Sequence, residues 1–117
     1  MLVSQDYLYL QVEVTVRNLR SRFRALLDNG FDGHLVLPEA FHRQFGKPDL
    51  LVKTRLANGT EKKFPAYQGG AEIVGLGLPV AYLTEIILLG DECLLGQGII
   101  RRLKVTFDHG SQIMVEP

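Results

Sequence analysis

Ala25-Leu26-Leu27-Asp28-Asn29-Gly30-Phe31-Asp32-Gly33-His34-Leu35-Val36-Leu37-Pro38 sets an acid between two apolar runs. Phe23, Ala25 and Leu27 alternate up to Asp28, as in a strand. Leu35-Val36-Leu37 is fully apolar, as in a central strand. Gly30, two residues after the acid, marks a tight turn that presents a carboxylate at a strand end. Asp-Asn-Gly is also an ordinary hairpin turn with no chemistry attached. Two such turns brought face to face would make a water-activating acid pair. The chain holds one copy, so that pair would need two subunits.

Bulk composition narrows the classes. The chain has 117 residues, of which 46% are hydrophobic, enough for one core and one domain spanning 1–117. Lys+Arg and Asp+Glu balance at 13 each. Such a balance argues against nucleic acid as the partner, because phosphate binding needs a basic face. Arg20, Arg22 and Arg24 alternate and read as the wet side of a strand. Cys93 is the sole cysteine, so no intrachain disulfide forms, and a buried structural thiol is expected. No signal peptide is evident, and no apolar run nears the ~20 residues that span a bilayer. A soluble, cytoplasmic protein without membrane contact is the expectation.

Strand signals dominate the rest. Tyr7 to Val16 alternates, with Leu8, Leu10, Val12, Val14 and Val16 on one side. Arg17 to Ser21 reads as the turn that follows. Pro38 suits the first position of a short helix, Phe41 and Phe45 share its face, and Gly46 ends it. Leu51 to Leu56 alternates, Asn58-Gly59 signals a two-residue hairpin, and Glu61 to Tyr67 returns. A second hairpin is expected from Glu72-Ile73-Val74 through Gly75-Leu76-Gly77 to Leu78–Leu89. Leu94-Leu95-Gly96 is a short apolar strand, followed by one or two helical turns over Gly98 to Leu103. Val105 to Asp108 and Gln112 to Val115 make a closing hairpin. The sum is an all-β domain, a small closed barrel or sandwich with little helix.

Other candidate chemistry is thin. His34, His42 and His109 sit on different element types, and no pair has metal-ligand spacing. Tyr7, Tyr9, Tyr67 and Tyr82 read as strand packing rather than a base-stacking platform. Gly75-Leu76-Gly77 lacks the rest of a phosphate loop.

The acid turn, the Asn58-Gly59 hairpin and the Leu94-Leu95-Gly96 run with its following helix and strand resemble, in order and spacing, the retropepsin-like aspartic proteases. The resemblance runs from about Tyr7 to Val115 and is closest to single-domain bacterial members. It implies an all-β retropepsin-like barrel and a homodimer acting on a peptide or protein substrate. It also implies roles. Asp28, Asn29 and Gly30 would be the catalytic triplet, with Asp28 supplying the carboxylate. Asp32 would hold the substrate main chain. Ala57, Asn58, Gly59 and Thr60 would form the flap tip over the peptide. Leu94, Leu95 and Gly96 would pack behind the acid turn. Two Asp28 carboxylates ~3 Å apart would share one proton, one activating water and the other protonating the scissile carbonyl oxygen, with no metal or other cofactor needed. Apolar pocket walls are expected from Val36, Leu56 and Ile99.

The chain departs from the family at two places. Asn29 stands where members carry Thr or Ser, whose hydroxyl bridges the two acid turns. Gln97-Gly98 stands where retroviral members carry Arg-Asn, with the Arg paired to the acid matching Asp32. These departures keep two other readings open: a silent domain of the same fold that binds peptides or dimerises, and an unrelated small β-barrel binding module.

Overall fold

The computed structural model describes residues 1–77 and 79–117. Ten strands carry the fold. β1 (Leu2–Ser4), β2 (Tyr9–Val16), β3 (Leu19–Leu27) and β4 (Leu35–Leu37) come first. A 3-10 turn (Glu39–Phe41) and α1 (His42–Phe45) precede β5 (Leu50–Arg55), β6 (Glu61–Ile73) and β7 (Pro79–Leu88). β8 (Leu94–Leu95) and α2 (Gln97–Ile100) lead to β9 (Lys104–Asp108) and β10 (Gln112–Glu116). The Leu78 start of the returning strand lies outside the described residues, as does the packing expected of the Tyr82 side chain.

Period-two burial builds the barrel. Leu10, Val12, Val14 and Val16 of β2 are buried, while the intervening residues are half-buried or exposed. The main sheet runs β2-β3-β8-β4-β7-β6-β5, and β2 also pairs with β6. That extra pairing closes six strands into a ring and leaves β5 outside it. The ring encloses one core, with Leu35, Leu37, Tyr67, Ile86, Leu95 and Ile99 among its buried members. A smaller cluster of Val36, Ala66 and Ile87 packs against Phe31, Val52, Phe64, Leu89 and Leu94. β1, β10 and β9 form a separate three-stranded sheet.

Several boundaries differ from the sequence expectation, each for a local reason. The β2–β3 turn is two residues long, not five. Arg17 takes φ 55°, and its side chain binds the Phe45 and Lys47 carbonyls and the Asp49 carboxylate. Pro38 is the residue before the 3-10 turn rather than its first residue. The Asn58-Gly59 turn is a three-residue loop. The Leu56 N–H donates to the Thr60 carbonyl at 2.8 Å, and Gly59 sits at φ 85°, the left-handed position that follows a type I turn.

β6 does not stop at Tyr67. Gln68-Gly69-Gly70 reads as a break, yet here it is a bulged bend within one strand of 13 residues. A side chain at Gly69 would collide with the Thr15 carbonyl oxygen. The missing side chain is what lets β6 swing from β7 onto β2 and close the barrel. β1 had no counterpart in the sequence reading.

Arg20 and Arg22 do form a wet face, each reaching Glu13 at 3.6 and 3.0 Å. Arg24 binds Asp6 at 2.6 Å and lies over the Tyr9 ring. Cys93 is buried, and burial pushes its thiol pKa up to about 12, as suits a structural thiol. Among the described residues no helix is long and apolar enough to cross a membrane.

Candidate active site

The acid turn is built by the strand that threads beneath it. β3 runs into Asp28, and β4 leaves from Leu35. β8 enters between them, parallel to β3 and antiparallel to β4. Its backbone and that of α2 then hold the loop. The Asp28 N–H donates to the Leu95 carbonyl at 2.9 Å, and the Gly96 N–H to His34 at 2.9 Å. The Gln97 N–H donates to Phe31 at 2.8 Å, and the Gly98 N–H to Gly33 at 2.9 Å. The met Asp28 amide and the met carbonyls of Phe31, Gly33 and His34 fix the loop's shape, since an unmet buried polar group costs about 1–3 kcal/mol. Leu94, Leu95 and Gly96 thus lie directly behind the acid turn.

Glycine is required at Gly96 by contact rather than by dihedral angle. A Cβ there would run into the carbonyl oxygens of Gly33 and Phe31. At Gly98 the same atom would strike the His34 ring. His34 fills the space that glycine leaves. Its Nδ1 accepts the Glu85 N–H at 3.2 Å, joining the loop to β7.

Asp28 is half-buried at the head of a tight turn. Its Oδ1 accepts the Gly30 N–H at 3.0 Å, and its carbonyl accepts the Phe31 N–H at 3.2 Å. This side-chain turn aims the carboxylate along the loop rather than back into the barrel. A Cβ on Gly30 would approach Asp28 Oδ1 to 3.3 Å, so glycine leaves that oxygen uncrowded.

Gln97 does not support Asp32. Its Nε2 donates to the Asn29 carbonyl at 2.8 Å. Among the described residues no hydrogen bond or ion pair engages the Asp32 carboxylate. Gln97 instead pins the main chain beside Asp28. A side-chain amide finds a carbonyl there because it has no charge to seek out an acid.

Two cavities flank the turn. A groove of about 360 Å³ is lined by Gly30, Phe31, Asp32 and Gly33 on one side, Val52 to Arg55 of β5 on another, and Glu85 and Ile87 of β7. It brings Asp32 and Gly30 against the hairpin that carries the expected flap. Ala57, Asn58, Gly59 and Thr60 are exposed at that hairpin's tip and are not among its walls. Asn58 Oδ1 accepts the Thr60 N–H at 2.9 Å, which stiffens the tip. A second cavity of about 600 Å³ is lined by Asn29, Gln97 and Arg101 together with Tyr7, Leu8, Leu27, Ile100, Leu103, Val105 and Phe107.

The expected apolar walls are misplaced. Val36 and Ile99 are buried in the two cores, and neither they nor Leu56 line either of these two cavities. Runs that are apolar at every position hide the difference between a core face and a cleft face. Phe31, Val52 and Ile87 supply the apolar wall instead. Glu85 was missed altogether. The alternation of β7 could have found it, because Thr84, Ile86 and Leu88 are buried and Glu85 faces the other way.

No family model matches the chain, and no curated protein does. Solved structures do match. The solution structure of simian foamy virus (mac) protease is 21% identical with a TM-score of 0.54, over 80% of this chain and 91% of that one. The crystal structure of a retropepsin-like aspartic protease from Rickettsia conorii is 22% identical with a TM-score of 0.59, over 92% of this chain and 83% of that one. At such identities the likeness speaks to architecture, and with the barrel and its threaded β8 it establishes that this chain has the retropepsin-like fold.

Proposed function

We propose that the chain is a homodimeric aspartic endopeptidase in which two Asp28 carboxylates, one per subunit, activate a water against a peptide bond. The observation that carries this reading is the Asp28 turn. Its carboxylate is held by the Gly30 N–H, its main chain is pinned by β8 and Gln97, and a groove lies alongside. One carboxylate cannot serve as both general base and general acid in the same step. A twin at ~3 Å shares one proton with it, because two like charges that close resist ionising together. The ionised member takes a proton from water while the protonated member donates to the carbonyl oxygen. An extended peptide would lie between the acid turn and β5, with Asp32 toward its main chain and the Ala57–Thr60 tip folding over it.

Support for the twin comes from the larger cavity. Asn29 and Gln97 sit at the edge of an apolar hollow lined by Leu27, Ile100, Leu103, Val105 and Phe107. Phe107 is 57% exposed, and an aromatic left in water beside such a hollow suits burial against a second copy. The two solved structures named above are called proteases, and the same activity is the natural reading here.

The test pairs a mass in solution with cleavage of an extended peptide library at acidic pH. A dimer whose cleavage is blocked by pepstatin-like inhibitors, and lowered about 10³-fold in Asp28→Asn, is the expected result. A dimer that binds peptides without cutting them would instead favour a silent domain. Asn29 is the feature that speaks for that second reading, because it replaces the hydroxyl that bridges acid turns in the family.

A further inference from the structure

We propose that Glu85, with Asp32 on another wall of the same groove, makes the groove select a basic side chain of the bound peptide. This rests on the reading of the groove as the peptide site. The charges along its walls are not alike in their commitments. Lys53 and Arg55 line it from β5, but both are drawn across the ladder to Glu61 of β6, at 3.1 and 3.3 Å. Both stay largely in solvent, where attraction for a ligand is weakest. Glu85 and Asp32 are uncommitted, although Asp32 is exposed as well. Among the described residues no hydrogen bond or ion pair engages either carboxylate. Glu85 is half-buried, and its backbone N–H is fixed by His34 Nδ1. That bond ties it to the loop carrying Asp28, so its side chain starts from a set position.

The surroundings suit a long cationic side chain. Phe31, Val52 and Ile87 give apolar wall, against which the methylene stem of Lys or Arg can lie. The charged head then reaches Glu85 in a partly desolvated setting, where a charged hydrogen bond is stronger than in water, while the exposed Asp32 adds negative charge at the groove's rim. An apolar side chain would fill the wall and leave both carboxylates unmet. An acidic one would meet two like charges.

A peptide library randomised at each subsite tests this with the full chain. Cleavage is read by mass spectrometry, and binding is read in parallel on the Asp28→Asn variant. Lys and Arg should be enriched over Leu at one subsite by about tenfold or more. Glu85→Gln should remove most of that enrichment, and Glu85→Lys should turn it toward Asp and Glu. Asp32→Asn serves as a second variant, with melting curves confirming that each one folds. Peptides cut or bound without basic enrichment would overturn the proposal while leaving the peptidase reading intact, as would enrichment untouched by both Glu85→Gln and Asp32→Asn. A chain that neither cuts nor binds any peptide would sink both.

Discussion

Gly96 has no room for a methyl group. A Cβ there meets two carbonyl oxygens of the acid loop, and backbone atoms cannot rotate away. Gly96→Ala is therefore expected to cost about 1–3 kcal/mol of stability, read as a lower denaturant midpoint, and to displace the Asp28 turn. An unchanged midpoint would mean that the loop gives way easily, and the account of a rigid turn would fail. Gln97 makes a milder case. Gln97→Ala removes one bond to the Asn29 carbonyl and should cost about 0.5–1.5 kcal/mol, since that carbonyl can turn to water. Cys93 offers a check on burial. Its thiol is pushed up to about 12, so a thiol reagent at pH 8 should label it only as the chain unfolds.

Elements differ in how firmly they are held. β8 has a neighbour on either side, whereas β5 pairs with β6 alone and lies beyond the ring. Leu51 is 59% exposed on that outer strand. Amide exchange should therefore be fastest at the β5–β6 tip and slow at Leu26, Leu95 and Gly96. Equal protection across them would argue against a movable hairpin over the groove. Much of this was legible beforehand. The alternation of Tyr9–Val16, the place of the Asn-Gly turn though not its length, and the acid turn all follow from spacing alone. The bend at Gly69 was not, because glycine pairs announce a break, and only the Thr15 carbonyl opposite shows that a continuous strand passes through. Nor was the partner of Gln97, since an amide binds whichever carbonyl the fold puts near it. The groove walls were misjudged for a similar reason. Val36 and Val52 look the same in sequence, and only the sheet decides which faces water.

Charge at the scale of the molecule sets its response to acid. The Arg24 guanidinium holds the Asp6 carboxyl below its usual range. The Gln68 N–H, and then Arg17, do the same for Asp49. His109 and Gln112 do so for Asp108. A carboxyl whose pKa is lower folded than unfolded stabilises above the unfolded value of about 3.9, and that help is lost as pH falls through the folded value. Thermal stability should thus hold level from neutral pH to about 5 and then decline toward pH 3. Asp49→Asn should lower stability at pH 7 and shrink the acid decline. Asp6 and Asp49 are exposed and Asp108 is half-buried, so added salt should blunt the effect. A melting temperature that rises on acidification would contradict this assignment.

The threading of β8 has a consequence in time. Four backbone donors or acceptors of the Asp28 loop are met by residues 95 to 98, which leave the ribosome long after the loop itself. A nascent chain lacking them owns the acid but has no scaffold to shape it, and closing so distant a pairing is slow. Whatever chemistry Asp28 performs is thereby postponed until residues 95 to 98 have been made and threaded behind it.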